Sequence, residues 1–188
     1  MHLEQMRVKN KPFPQVAFPL EVRSARIWHC NFKSLEKISA LQNLETLVVA
    51  TWPDISFMPL ASLKRLKYLS VLHFPKAAEL LPIAGLNLLE TLCLRSLPSW
   101  DASGKTLLVN SLAPVAQLRN LKHLELCGVR TPDRTLPLGM KSKALKSAKF
   151  SKYRKSEVEK FYAATGASDA FAPQPAFEAT QLFNHADR

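Results

Sequence analysis

A nine-residue phrase returns four times along this 188-residue chain. Leu41 to Val49 reads L-x-x-L-x-x-L-x-φ, with φ aliphatic, and Leu63 to Val71, Leu86 to Leu94 and Leu118 to Leu126 repeat it. The anchors Leu47, Leu69, Leu92 and Leu124 follow one another at 22, 23 and 32 residues. Such a period restricts the chain to a stack of similar units, each burying its apolar residues only against its neighbours. In Leu47-Val48-Val49 the two-residue alternation of a strand turns Leu47 and Val49 inward and Val48 outward. One strand per unit then builds a parallel sheet.

A residue five positions past each anchor also points inward: Trp52, Phe74, Leu97 and Val129. That column places two weaker units. Ala25-Arg26-Ile27 with Cys30 and Phe32 makes a first one, and Ala148-Lys149-Phe150 with Tyr153 a last one, so six strands are expected. Between strands, Met58 to Leu63, Leu81 to Leu86 and Ala113 to Leu118 share x-P-φ-A-x-L. Proline is pre-set for the first position of a helical turn, where its missing N–H costs nothing. A short helical turn therefore returns the chain to each strand.

The stretch Trp52-Pro53-Asp54-Ile55-Ser56-Phe57-Met58-Pro59-Leu60 resembles the N-x-I-x-D-I-x-P-L segment of 22-residue leucine-rich repeats of the SDS22-like and internalin type, with its isoleucine in a shifted register. The resemblance runs from about Val22 to Tyr153. It implies an α/β, right-handed solenoid with a curved parallel sheet of about six strands, short helical turns on the convex side and protein–protein recognition. Where that family carries asparagine, five residues after the anchor, this chain has Trp52, Phe74, Leu97 and Val129. The turns must satisfy their backbone groups otherwise, and irregular geometry is expected. No motif specific to phosphatase regulation or host-cell adhesion is present.

The domain reading is an N-terminal extension or cap over 1–21, repeats over 22–155, a capping helix over 156–166 and an Ala/Pro-rich tail over 167–188. In the helix, Ser156 and Glu159 form a capping box, Val158, Phe161 and Tyr162 share a face, and Gly166 ends it. The tail, with Phe171, Phe177 and Phe183, is expected to be loosely held; the alternative is a terminal segment folded over the outward face of the sheet. The 32-residue spacing marks an insertion around Ser99 to Asn110, lengthening the convex side or projecting a loop.

The N-terminus lacks an apolar signal core, no stretch reaches membrane-span length, and three cysteines argue against a disulfide framework, so a cytoplasmic protein is expected. Net charge is +11, and Lys141 to Lys160 holds eight Lys or Arg against two Glu. That balance suits an acidic protein or, as the alternative, nucleic acid. Enzymatic chemistry and cofactors are not expected. Ser103-Gly104-Lys105-Thr106 lacks the glycine five residues before Gly104 that a phosphate loop requires. Cys93, Cys127, His123 and Glu125 lie in different columns with no C-x-x-C spacing, and His29 and His73 stand about 10 Å apart, two strands away. The outward strand residues are the binding candidates. Arg26, Trp28, Val48, Tyr68 and Leu72 form an apolar, aromatic half, and Arg95, His123, Glu125 and Lys149 a polar, mostly basic half, with Lys152 at the rim leading into the cap. Trp, Tyr and Arg are the usual interface anchors. Oligomeric state is not legible.

Overall fold

Parallel strands in one register dominate the structure, a computed structural model that describes residues 1–178 and 181–182. The strands are β1 (His2–Met6), β2 (Ser24–Trp28), β3 (Thr46–Ala50), β4 (Tyr68–Leu72), β5 (Thr91–Arg95), β6 (Leu107–Leu108), β7 (His123–Cys127), β8 (Val129–Arg130), β9 (Ser147–Phe150), β10 (Ser168–Asp169) and β11 (Gln181–Leu182). The main sheet has nine strands in the order β10-β9-β7-β5-β4-β3-β2-β1-β11. The six expected strands are its centre, β2, β3, β4, β5, β7 and β9. Their anchors Ala25, Leu47, Leu69, Leu92, Leu124 and Ala148 stand opposite one another in a single row. Strand β1 extends that row with Leu3, inside the stretch read as an extension. Phe13 then tucks against Phe32, ring centroids 5.4 Å apart, and closes the first repeat.

The register has a specific source. Two residues before the anchors stand Arg23, Glu45, Lys67, Glu90 and Lys122, and each carbonyl accepts two N–H groups of the next repeat at 2.7–3.2 Å. A repeat that slipped by one residue would break this pair and turn its leucines to water. Charge reinforces the alignment along this leading rim. Glu45 pairs with Arg23 at 2.7 Å and Lys67 at 2.6 Å, and Lys122 pairs with Glu90 at 2.9 Å.

At the trailing rim the turns are more regular than expected. Four residues past the anchor, Arg7, His29, Thr51, His73, Gly128 and Lys152 all adopt positive φ, between 52° and 76°. The N–H groups of Arg7, Thr51 and His73 bond to the last strand carbonyls of the following repeat, Trp28, Leu72 and Arg95, at 2.6–2.9 Å. Repeat-to-repeat backbone bonds thus replace the asparagine side chain of the resembled family. Ser96 occupies the equivalent position after β5 without positive φ, because the chain there turns into the insertion.

The insertion forms a short helix, α1 (Pro98–Ala102), and strand β6, which pairs with β8 as a separate two-stranded sheet. Trp100 packs edge-on against His73 at 4.8 Å. The proline signature makes the expected returns: single helical turns at Met58–Leu60 and Leu81–Ile83, and α2 (Ala113–Ala116). A repeated side-chain cap precedes them, in which Ser34, Ser56, Glu79 and Ser111 accept the N–H two residues on at 3.0–3.1 Å. Inside, Trp52, Phe57 and Phe74 pack in sequence at 5.1 and 5.4 Å.

Helix α3 (Lys155–Thr165) covers the last repeat with Phe161, whose ring meets Phe150 at 4.9 Å. Its N-cap is Arg154 and no side chain caps it, so the Ser156–Glu159 box does not form. Ser156 lies within the first turn, because the extended Arg154, at φ −69° and ψ 143°, stands as the N-cap and the helix begins at Lys155. Gly166 ends the helix at φ 72°, as expected.

Two substitutions test this architecture. Trp52→Ala removes a fully buried ring and should cost about 3–5 kcal/mol in urea unfolding, whereas Ile55→Ala, at a position 79% exposed, should stay within about 0.5 kcal/mol. Thr51→Asn should add roughly 0.5–1 kcal/mol, because a β-branched residue is strained at φ 76° and asparagine tolerates it.

Candidate functional site

The outward face of the sheet is a grid of three rows set by the strand register. One residue before the anchors lie His2, Ser24, Thr46, Tyr68, Thr91, His123 and Ser147; one residue after lie Glu4, Arg26, Val48, Ser70, Cys93, Glu125 and Lys149. The third row, toward the trailing rim, is Met6, Trp28, Ala50, Leu72, Arg95 and Cys127.

The tail lies across this grid as a strap. Leaving α3, it pairs β10 with β9 at one edge, crosses the outward face, and pairs β11 with β1 at the other. Asp169 bonds Lys149 at 2.8 Å, and the same ammonium sits 5.3 Å from the Phe171 ring. The Ala172 N–H donates to Glu125 Oε1 at 2.6 Å, and the Tyr68 hydroxyl donates to the Pro173 carbonyl at 3.2 Å. At the far end Phe177 packs on His2 at 4.7 Å and under Arg26 at 5.5 Å, and the Glu178 N–H donates to Ser24 Oγ at 2.9 Å. The expectation of a loosely held tail therefore fails for residues 168–178, while Phe183 lies outside the described residues. Pro173 and Pro175 explain why the strap crosses rather than adds a strand: neither has an N–H to give a ladder.

The strap sorts the residues singled out in the sequence. Val48 faces outward yet is only 6% exposed, and Glu125 is fully buried. Glu125 is held by Arg95, whose Nε donates at 2.7 Å, as well as by the Ala172 N–H. Arg26 pairs with Glu4 through Nε at 2.6 Å. His123 Nδ1 shares a hydrogen bond with Ser147 Oγ at 2.8 Å, repeating the His2–Ser24 pair at 2.9 Å. Tyr68, Arg26, Glu125 and Lys149 thus each contact the strap, at separate points along it. Trp28 and Leu72 are half-buried in the third row, beside Met6, which is 45% exposed. Lys152 sits in the last trailing turn, apart from both groups. The basic segment is divided as well: Lys141, Lys143 and Lys146 precede β9, while Lys152, Arg154 and Lys155 follow it.

Electrostatics here favour holding over reacting. Burial, then the neighbouring Glu125 carboxylate, push the Cys93 thiol up to about 12, so it stays protonated. Burial also lowers His2, His73 and His123 below the usual imidazole value and keeps them neutral. Among the described residues no group of three or more His, Cys, Asp or Glu could hold a metal ion. The grid offers buried acceptors for backbone N–H groups and cations for aromatic rings, which are the means of holding an extended polypeptide.

Sequence reasoning missed β1 and held the strap only as the alternative to a loose tail. For β1 a signal existed: Leu3 precedes Ala25 by the repeat length of 22 and is followed five residues on by Val8. No period singled out the strap, since its partners are spread from His2 to Lys149.

A row-aligned parallel sheet backed by short helical turns makes this a leucine-rich-repeat solenoid. No protein-family model matches the chain, and no curated protein matches it. Among solved structures it is similar to internalin C2 of Listeria monocytogenes, at 23% identity and a TM-score of 0.51, over 70% of this chain and 54% of that one. A leucine-rich-repeat protein of Leptospira interrogans matches over 85% of this chain and 52% of its own, at 16% identity and a TM-score of 0.36. The chain spans about half the length of each.

Arg95→Ala should cost about 2–3 kcal/mol in urea unfolding, because it strips the buried Glu125 carboxylate of its cation; the double change Arg95→Met/Glu125→Leu should cost less than Arg95→Ala alone. Stability should also fall as pH drops from 7.5 to 5.5. His2, His73 and His123 have folded values below 6.5, so the unfolded chain takes up protons first, and stability present above that value is lost toward the folded ones. Replacing all three with Gln should flatten the profile.

Proposed function

We propose that this chain is a non-catalytic protein-binding module whose protein partner seats on the concave sheet face, centred on the third row at Trp28 and Leu72 and reaching the trailing rim. The observation that carries the reading is the way this face already holds a polypeptide, the chain's own strap, while the third row beside it leaves Met6 exposed and Trp28 and Leu72 half-buried. An aromatic–aliphatic row rimmed by charge is the usual make-up of an interface centre.

The partner is acidic on this reading. Arg7, Lys9, Lys33, Lys76 and Arg154 are all exposed in the trailing turns, and the carboxylates nearby are engaged locally, Asp54 with the Leu35 N–H and Asp133 with Thr135. Single charges at such a rim mainly steer association. The use we infer is neutralising or regulating one target, as immunity, adaptor or regulatory proteins do, in the cytoplasm. Three free cysteines suit a reducing compartment, and among the described residues no helix is long and apolar enough to cross a membrane.

The second reading, nucleic-acid binding through Lys141 to Lys160, draws on the same positive charge. It is weaker because that segment splits across the two ends of β9, and Lys149 is engaged with Asp169.

A photo-crosslinking residue at position 28 should capture a protein that the same residue at the convex position 55 does not. The purified pair should then lose at least tenfold affinity with Trp28→Ala/Leu72→Ala, consistent with interface anchors worth about 2 kcal/mol. Equal capture at both positions would remove the concave face from consideration. Affinity that collapses between about 50 and 200 mM salt, with nucleic acid in the captured material, would select the second reading.

A further inference from the structure

The strap has an unusual sequence: Phe171-Ala172-Pro173-Gln174-Pro175-Ala176-Phe177 reads the same in both directions, with Asp169 two residues before it and Glu178 directly after it. Each half offers a phenylalanine within two residues of a carboxylate, and the sheet meets each phenylalanine with a cation. Lys149 serves Asp169 and Phe171, and Arg26 covers Phe177. Resting on the concave-face reading above, we propose that residues 169–178 are an internal ligand. The face is a receptor for an extended, proline-containing segment of a protein partner with a phenylalanine within two residues of a carboxylate at each end, and in the free chain the tail holds that site.

The dimensions agree. From Asp169 to Phe177 is eight residue steps, about 25 Å in the polyproline conformation that Pro173 and Pro175 impose. Lys149 on β9 and Arg26 on β2 are five strand gaps apart, about 24 Å. A stiff segment of this length reaches both cations without slack; a flexible one would lose more entropy on being drawn straight.

Between the clamps the sheet reads backbone rather than side chains. Glu125, Tyr68 and Ser24 take the Ala172 N–H, the Pro173 carbonyl and the Glu178 N–H. These contacts accept any segment with suitable main-chain groups, while the aromatic–acidic ends set the choice. The tail is built for exchange. Ala172 is its buried point within this run, and Phe171 remains 66% exposed although a cation lies beside it. Phe171 therefore adds little to the apolar area that returns to water when the tail leaves. The buried Glu125 carboxylate, however, loses the Ala172 N–H, so a replacement that supplies another N–H there is favoured over an empty face.

The test is a fluorescein-labelled synthetic peptide of residues 168–178, titrated by anisotropy against the full chain and against full-length Phe171→Ala/Phe177→Ala. The double variant should bind the peptide about tenfold tighter than wild type, because its own tail competes poorly, and Lys149→Glu added to it should weaken binding about tenfold. Equal binding by wild type and double variant, or binding to neither, overturns the internal ligand. Should the double variant lose its cooperative unfolding, hydrogen exchange on wild type decides: excess unlabelled peptide should speed exchange of the Ala172 and Glu178 amides, and unchanged exchange overturns the proposal. Crosslinking at position 28 that persists without any peptide binding removes the internal ligand alone and leaves the concave-face reading standing.

Discussion

The whole molecule depends on one backbone arrangement: a carbonyl two residues ahead of each anchor takes two N–H groups from the next repeat. It pins neighbouring strands in register, and register decides which residues are inside. With it in place, the anchors form a continuous core row, Trp52 reaches Phe57 and Phe74, and the alternating charges from Arg23 to Lys122 fall opposite one another. Those exposed ion pairs add little energy one by one. Their alternation matters more as a filter, since a repeat slipped by one residue would set each charge opposite an uncharged position.

The same regularity accounts for the turns. Arg7, Thr51 and His73 accept a left-handed conformation that L-residues disfavour, and there the next repeat offers a carbonyl to the N–H. Packing between repeats overrides the local preference of each residue. At Gly128 that preference and the neighbour agree, and at Ser96, where the insertion begins, the pattern lapses.

A parallel sheet of stacked repeats has two open edges, and here one short tail attends to both. Strand β10 pairs at the C-terminal edge and β11 at the N-terminal edge, so the strap joins the ends of the array across the face between them. That makes the tail part of the fold and part of the proposed binding chemistry at once. Glu125 sits where these roles meet, fully buried, paired with Arg95 below and with a tail N–H above. Whatever occupies the concave face has to satisfy that carboxylate.

Local periodicity was enough for the repeats. The 22-residue spacing and the two-residue alternation are written in consecutive positions, so the strands from Ala25 to Phe150, the proline-led turns and the inward column of Trp52, Phe74 and Val129 were readable in the sequence. The outward direction of Arg26, Tyr68, Glu125 and Lys149 was readable for the same reason. Their surroundings were not. Whether an outward residue meets water or another segment depends on contacts between positions far apart in the chain, such as Ser24 with Glu178 and Tyr68 with Pro173, and no period connects those pairs. The start of α3 at Lys155 was likewise decided by the turn leading into it and not by Ser156. Sequence determined the solenoid because each repeat carries the full pattern; tertiary structure decided the strap because only the assembled sheet brings its two ends within reach of one tail.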